Sequence, residues 1–149
     1  MFERIVVAVD GSQNSMRAAD MAIDMANRAN ASLFVISVIS STVYTEAPPG
    51  MVAGGAAPSN VTDKAKTDAE AFVQGVVAKA QQHGVTKVRG EVIENVPSVV
   101  DSIVDYVQEW KADVVIVGTR GLSGLRKLLL GSVSSALVSK APCSVLVVR

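Results

Sequence analysis

The stretch VVIVGTRGLSGLRKLLLGSVS, residues 114–134, decides how the chain folds. Residues 114–117 are an unbroken β-branched run, the pattern of a strand covered on both faces. Gly118 ends that run, and glycine recurs at Gly121 and Gly131. Arg120, Arg126 and Lys127 lie between, with no acidic residue from 118 to 131. Ser132, Ser134 and Ser135 then open a short predicted helix with Val133, Ala136 and Leu137 facing inward, and Pro142 stops it. Strand, glycine bend and helix start together make one βα unit.

The rest of the chain repeats that unit. Continuous apolar runs at 5–9, 33–39 and 145–148 predict three more covered strands. Residues 88–93 are more polar, as an edge strand would be. Between them, Ala19, Ala22, Ile23 and Ala26 follow helical i, i+3, i+4, i+7 spacing. So do Ala69, Phe72, Val73 and Val76, and again Val100, Ile103, Val104 and Val107. Gly84 ends the second helix, and Pro97 marks the start of the third. The order is β-α-β-α-β-α-β-α-β. Such alternation gives an α/β fold: a parallel sheet with right-handed crossovers and helices on both faces. Ligands of these sheets bind beyond the carboxyl ends of the strands, where the strand order reverses.

Composition bounds the function. With 149 residues, 49% apolar and 19% charged, the chain is predicted to form one compact domain, 1–149. Fourteen basic residues balance 14 acidic ones, so no overall field favours nucleic acid or an acidic membrane. An anion site must therefore be local. One cysteine, Cys143, forms no disulfide within the chain, and the start MFERIVVAVD reads neither as a signal peptide nor as a membrane span. The expectation is a cytoplasmic protein.

Two parts stand apart from the periodic pattern. Residues 40–60 hold three of the five prolines and three glycines, at the carboxyl edge, and read as a lid, a binding loop or a tolerant insertion. The glycine passage permits two readings as well. Glycines remove Cβ atoms that would block a ligand, and successive amides with a helix N-terminus favour an anion by about 1 kcal/mol. Ser132 and Ser134 add hydroxyls, and the three cations add charge, which suits a phosphate chain. The plainer reading is a turn, Ser132 as an N-cap and a solvated basic face. Neither G-x-x-x-x-G-K-[ST] nor a strand-following G-x-G-x-x-G occurs, so the cradle is of another kind.

The spacing Gly118-x2-Gly121-x9-Gly131-Ser132 resembles the nucleotide-binding signature of the universal stress protein family, G-x2-G-x9-G-[ST]. RIVVAVDGS at 4–12, LFVISV at 33–38, ADVVIVGTRG at 112–121 and APCSVLVVR at 141–149 resemble further blocks of that family, in order along the whole chain. The resemblance implies an open, Rossmann-like, five-stranded parallel sheet of order 3-2-1-4-5. It implies ATP as ligand, with Mg2+ or Mn2+ as a compatible companion. Gly118, Gly121, Gly131 and Ser132 match the signature, with Arg120 inside it and Val133 and Ser134 beside it. Asp10 matches the family's acid near the nucleoside, Ala8 and Val9 would flank the base, and the Val38 backbone would face adenine. Ser37, Ser144 and Ala8 depart from residues common in the family. A homodimer through the last strand, 144–149, is also implied.

Several residues invite over-reading. Asp10 before Gly11-Ser12 fits a turn or a helix cap as well as a ligand contact. His83, the sole histidine, precedes Gly84 at a helix end, and Cys143 reads as a small buried hydrophobe. Trp110 should pack on the sheet rim, Tyr44 reads as exposed ahead of the alternative that it stacks on adenine, and Asp113 falls at the edge away from the ligand. One well-placed acid without a histidine predicts nucleotide binding with slow or absent hydrolysis, hence a switch. An ATP-hydrolysing enzyme and a nucleotide-independent scaffold are the alternatives. A phospho-receiver is disfavoured, because it needs an acidic cluster with an aspartate after the third strand and a lysine after the fifth.

Overall fold

The structure, a computed structural model, describes residues 1–41, 59–119 and 130–149. Its elements run β1 (Arg4–Ala8), α1 (Gln13–Ala29), β2 (Ser32–Ser40), α2 (Ser59–Gln82), β3 (Val88–Val96), α3 (Val99–Glu109), β4 (Val114–Gly118), α4 (Ser132–Lys140) and β5 (Ser144–Val148). The strands form one sheet of order β3-β2-β1-β4-β5, with every pairing parallel. Most of the 40–60 segment, with Tyr44, lies outside the described residues.

Alternate residues of each strand feed two cores, which is why the runs are apolar throughout. Ile5 and Val7 of β1, Leu33 and Val35 of β2, and Val114 and Ile116 of β4 face α1 and α2. That layer includes Ala19, Ala22, Ile23 and Ala26 of α1 and Val73 and Val76 of α2. Val6, Phe34, Ile36, Val115 and Val117 face the other way, onto Ile103 and Val107 of α3 and Leu137 of α4. Each such fully buried branched side chain contributes roughly 1.5–3 kcal/mol. Trp110, which ends α3, packs on Phe34 with ring centroids 5.0 Å apart, and the Arg89 guanidinium lies 4.8 Å above its ring.

The two rims of the sheet differ. On β3, Arg89, Glu91 and Glu94 are exposed, and Asn95 takes a left-handed φ of 54° where the pairing with β2 shifts register. On β5, Val145, Leu146 and Val147 are half-buried and uncharged. Among the described residues no helix is long and apolar enough to cross a membrane.

The amino ends of the strands are tied by Asp113. Its carboxylate accepts the amides of Glu3 at 2.7 Å and Arg4 at 2.8 Å. Those two bonds hold the carboxyl below the usual carboxylate range. Asp113 therefore serves the edge opposite the carboxyl ends, as its position just before β4 predicts.

Candidate functional site

Strand order reverses between β1 and β4, which lie side by side with Ile5 opposite Val114 and Val7 opposite Ile116. Beyond their carboxyl ends a crevice encloses about 100 Å³. Ala8, Val9 and Asp10 from β1 and its exit, Val38 from β2, and Gly118 from β4 line it, with Val133 from α4. All six were singled out from the sequence. Val117, Ser15 and the α3 residues Val99 and Ile103 complete the wall. The lining is thus apolar on the α3 side, with one carboxylate at its mouth.

Asp10 serves the local turn while it faces the crevice. Its carboxylate oxygen accepts the Ser12 amide at 2.9 Å, and its own amide donates to the Ser15 hydroxyl at 3.2 Å. Gly11 makes the turn possible with φ of 82°, a conformation that a Cβ disfavours. Ser12 then caps α1, its hydroxyl accepting the Ser15 amide at 3.2 Å.

Gly118 has a different reason from the one expected. A Cβ there would lie 2.7 Å from the backbone of Asn14 and Ser15, so the missing side chain lets α1 close on β4. It makes room for the protein's own helix, at a residue that also lines the crevice. Gly131 is the N-cap of α4, with φ of −60°, and no side chain caps that helix. The alternative of Ser132 as N-cap does not hold: Ser132 is the first helical residue, and it is exposed.

Ser134 also differs from expectation. It is 1% exposed, and its hydroxyl donates inward to the Gly131 carbonyl at 3.0 Å. What remains at the start of α4 is backbone. Gly131 donates its amide to the Thr119 carbonyl at 2.5 Å, and the Ser135 amide bonds back to Gly131. The amides of Ser132, Val133 and Ser134 fall in the first turn, where a helix has no internal acceptor to offer. They carry the positive end of the α4 dipole. Arg120 and Gly121, with Arg126 and Lys127, lie outside the described residues.

Chemically, the arrangement offers amide donors, an apolar wall and one carboxylate. Among the described residues no three His, Cys, Asp or Glu side chains gather as a metal site would require. His83 lies elsewhere, its Nδ1 2.8 Å from the Lys79 carbonyl at the end of α2. Cys143 is half-buried, and burial is the main reason its thiol is pushed up from its ordinary value.

Sheet order and crevice together define a doubly wound α/β protein with a cleft at its switch point. The chain belongs to the universal stress protein family, whose family model matches residues 1–149. It is 32% identical over 149 residues to universal stress protein MJ0531 of Methanocaldococcus jannaschii, covering all of this chain and 83% of that one. Among solved structures, a universal stress protein in complex with cAMP is 27% identical, with a TM-score of 0.72 and coverage of 99% of this chain and 97% of that one. The universal stress protein UspA from Lactobacillus plantarum shares the fold at 22% identity and a TM-score of 0.80, covering 99% and 98%.

Proposed function

We propose that the chain binds an adenine nucleotide, ATP, in this crevice and acts as a nucleotide-dependent switch in a stress response, with slow or no hydrolysis. One observation carries the reading: the first turn of α4 faces a mixed apolar and acidic cleft without a side-chain cap. The amides of Ser132, Val133 and Ser134 would take the phosphates, joined on grounds of spacing by Gly118, Arg120, Gly121 and Gly131. The base would enter against Ala8, Val9 and Val38, beside Val99 and Ile103, and Asp10 would accept from the ribose or base. A divalent cation, Mg2+ or Mn2+, would arrive with the phosphates, with Asp10 as its one protein carboxylate. The related protein solved with cAMP supports an adenine ligand. Slow turnover is the expected result of a crevice with a single acid among the described residues to position water. The protein, freshly purified and then denatured, should release an adenine nucleotide, and the emptied chain should take up ATP. Failure to bind any adenine nucleotide, in calorimetry at millimolar ligand, sinks the proposal.

The same reading includes a homodimer through β5. The Ser144 amide bonds to Asp113 and the Val148 carbonyl accepts from Thr119, so these alternate positions face β4. Val145 and Val147 then turn their backbone groups to the open rim. An uncharged open strand favours pairing with a second copy about a two-fold axis. Val147→Pro removes an outward amide and no ladder bond, so it should convert dimer to monomer in light scattering. An unchanged dimer would point to a different interface.

A further inference from the structure

Thr119 stands where the chain leaves β4, and it is 8% exposed. Three elements hold it. Its amide donates to the Val148 carbonyl of β5 at 2.8 Å, and its carbonyl accepts the Gly131 amide. That carbonyl also lies 3.3 Å from the Ser134 hydroxyl of α4. Its own hydroxyl accepts the side-chain amide of Asn14, in the first turn of α1, at 3.0 Å.

The side-chain bond differs in kind from the backbone ones. Backbone bonds of this sort continue a sheet or start a helix. The Asn14–Thr119 bond does neither, and it joins the two walls of the crevice. α1 starts three residues after Asp10, at Gln13, whereas Thr119 holds Gly131 and so the start of α4. Packing of α1 against β4 is already fixed one residue earlier, at Gly118, where the helix backbone comes too close for any Cβ. Beyond that contact Thr119 is held by its backbone bonds to Val148 and Gly131, and the Asn14 amide adds the one restraint on its side chain among the described residues.

We propose that Asn14 and Thr119 are positioning residues for the nucleotide: their side-chain bond fixes the exit from β4 and thereby the placement of the α4 amides against Asp10. Neither side chain lines the crevice, so both act through Gly131. The inference rests on the nucleotide-binding reading and adds to it the residues that set affinity from behind the site.

Thr119→Val keeps the side-chain shape and removes the acceptor, while Thr119→Ser keeps the hydroxyl. Calorimetry with ATP on nucleotide-free protein should show Thr119→Val weakened about tenfold and Asn14→Ala weakened similarly, the size of one oriented hydrogen bond. The double variant should lose no more than the larger single loss, because both remove one interaction. Thr119→Ser should restore binding to within about twofold of wild type. Wild-type affinity in Thr119→Val, additive losses in the double variant, or a lowered melting temperature with unchanged ATP affinity would each overturn the proposal. If the wild type binds no adenine nucleotide, the nucleotide reading itself has failed. Positioning is then judged by hydrogen exchange at the bonded amides of Gly131 and Ser135, which Thr119→Val must accelerate; unchanged exchange overturns it too.

Discussion

Two helices begin at the mouth of the crevice, α1 after β1 and α4 in the unit after β4, and they begin differently. Ser12 caps α1 with its hydroxyl, and the Ser15 hydroxyl donates back to the Ser12 carbonyl at 3.0 Å. Gly131 leads into α4 with no side chain at all, and the serine nearest to hand, Ser134, turns its hydroxyl to carbonyls. A glycine N-cap forgoes roughly a few tenths of a kcal/mol against a serine or aspartate. The same sheet edge thus holds one terminus that is satisfied from within and one whose first-turn donors meet no acceptor among the described residues. Asp113, at the far edge, satisfies two strand amides with a carboxylate, so the chain has the means to finish such groups where nothing needs to bind.

The sharpest way to break this comparison is to give α4 the cap it lacks. Gly131→Asp should place a carboxylate over the first-turn amides. ATP affinity should then fall at least tenfold by calorimetry, roughly the loss of a charge-assisted hydrogen bond. The nucleotide-free protein should gain about 0.5 kcal/mol in urea unfolding. Unchanged affinity would mean that the α4 amides do not hold the ligand. Ser12→Ala is the converse change. It should cost about 1 kcal/mol of stability and leave ATP affinity within about threefold of wild type. A larger binding loss would erase the distinction between the two termini.

The smallest effect is expected at Asp113. Its folded carboxyl titrates below the unfolded value, so the stability it adds is present above the unfolded value of about 4 and is lost as pH falls through the folded one. Asp113→Asn should flatten the stability profile below about pH 4 and leave nucleotide binding at neutral pH untouched. An identical acid profile in both proteins would count against its role.

How far the sequence could be read depended on what kind of constraint each residue obeys. The three buried strand runs of β1, β2 and β4 and the α1, α2 and α3 stripes obey periodicity, and Ala22, Val73 and Ile103 sit where it puts them, whereas the equally apolar run at 145–148 is half-buried because β5 is an edge strand. The edge position of β3 was visible in Arg89 and Glu91, because an edge strand keeps charge. Asp10 and Gly118 were found because turns at strand ends have short-range signatures. Val99 and Ile103 were missed as crevice residues because helical spacing reports which stripe faces the sheet, not how far along it a cavity opens. Gly118 was found for an incomplete reason: the helix that crowds it starts at residue 13, more than a hundred positions earlier. No local pattern announces a contact of that separation. The Asn14–Thr119 bond is hidden for the same reason.

The unlike rims of the sheet have a bearing on how copies would add together. A sheet with two bare margins has a place to attach at each end and so extends into a ribbon without limit. Here Arg89, Glu91 and Glu94 charge one margin, and Asn95 bends it out of line. If copies pair through β5 as proposed, growth through strand addition would stop after that single step, and the charged margin would guard the chain against forming filaments.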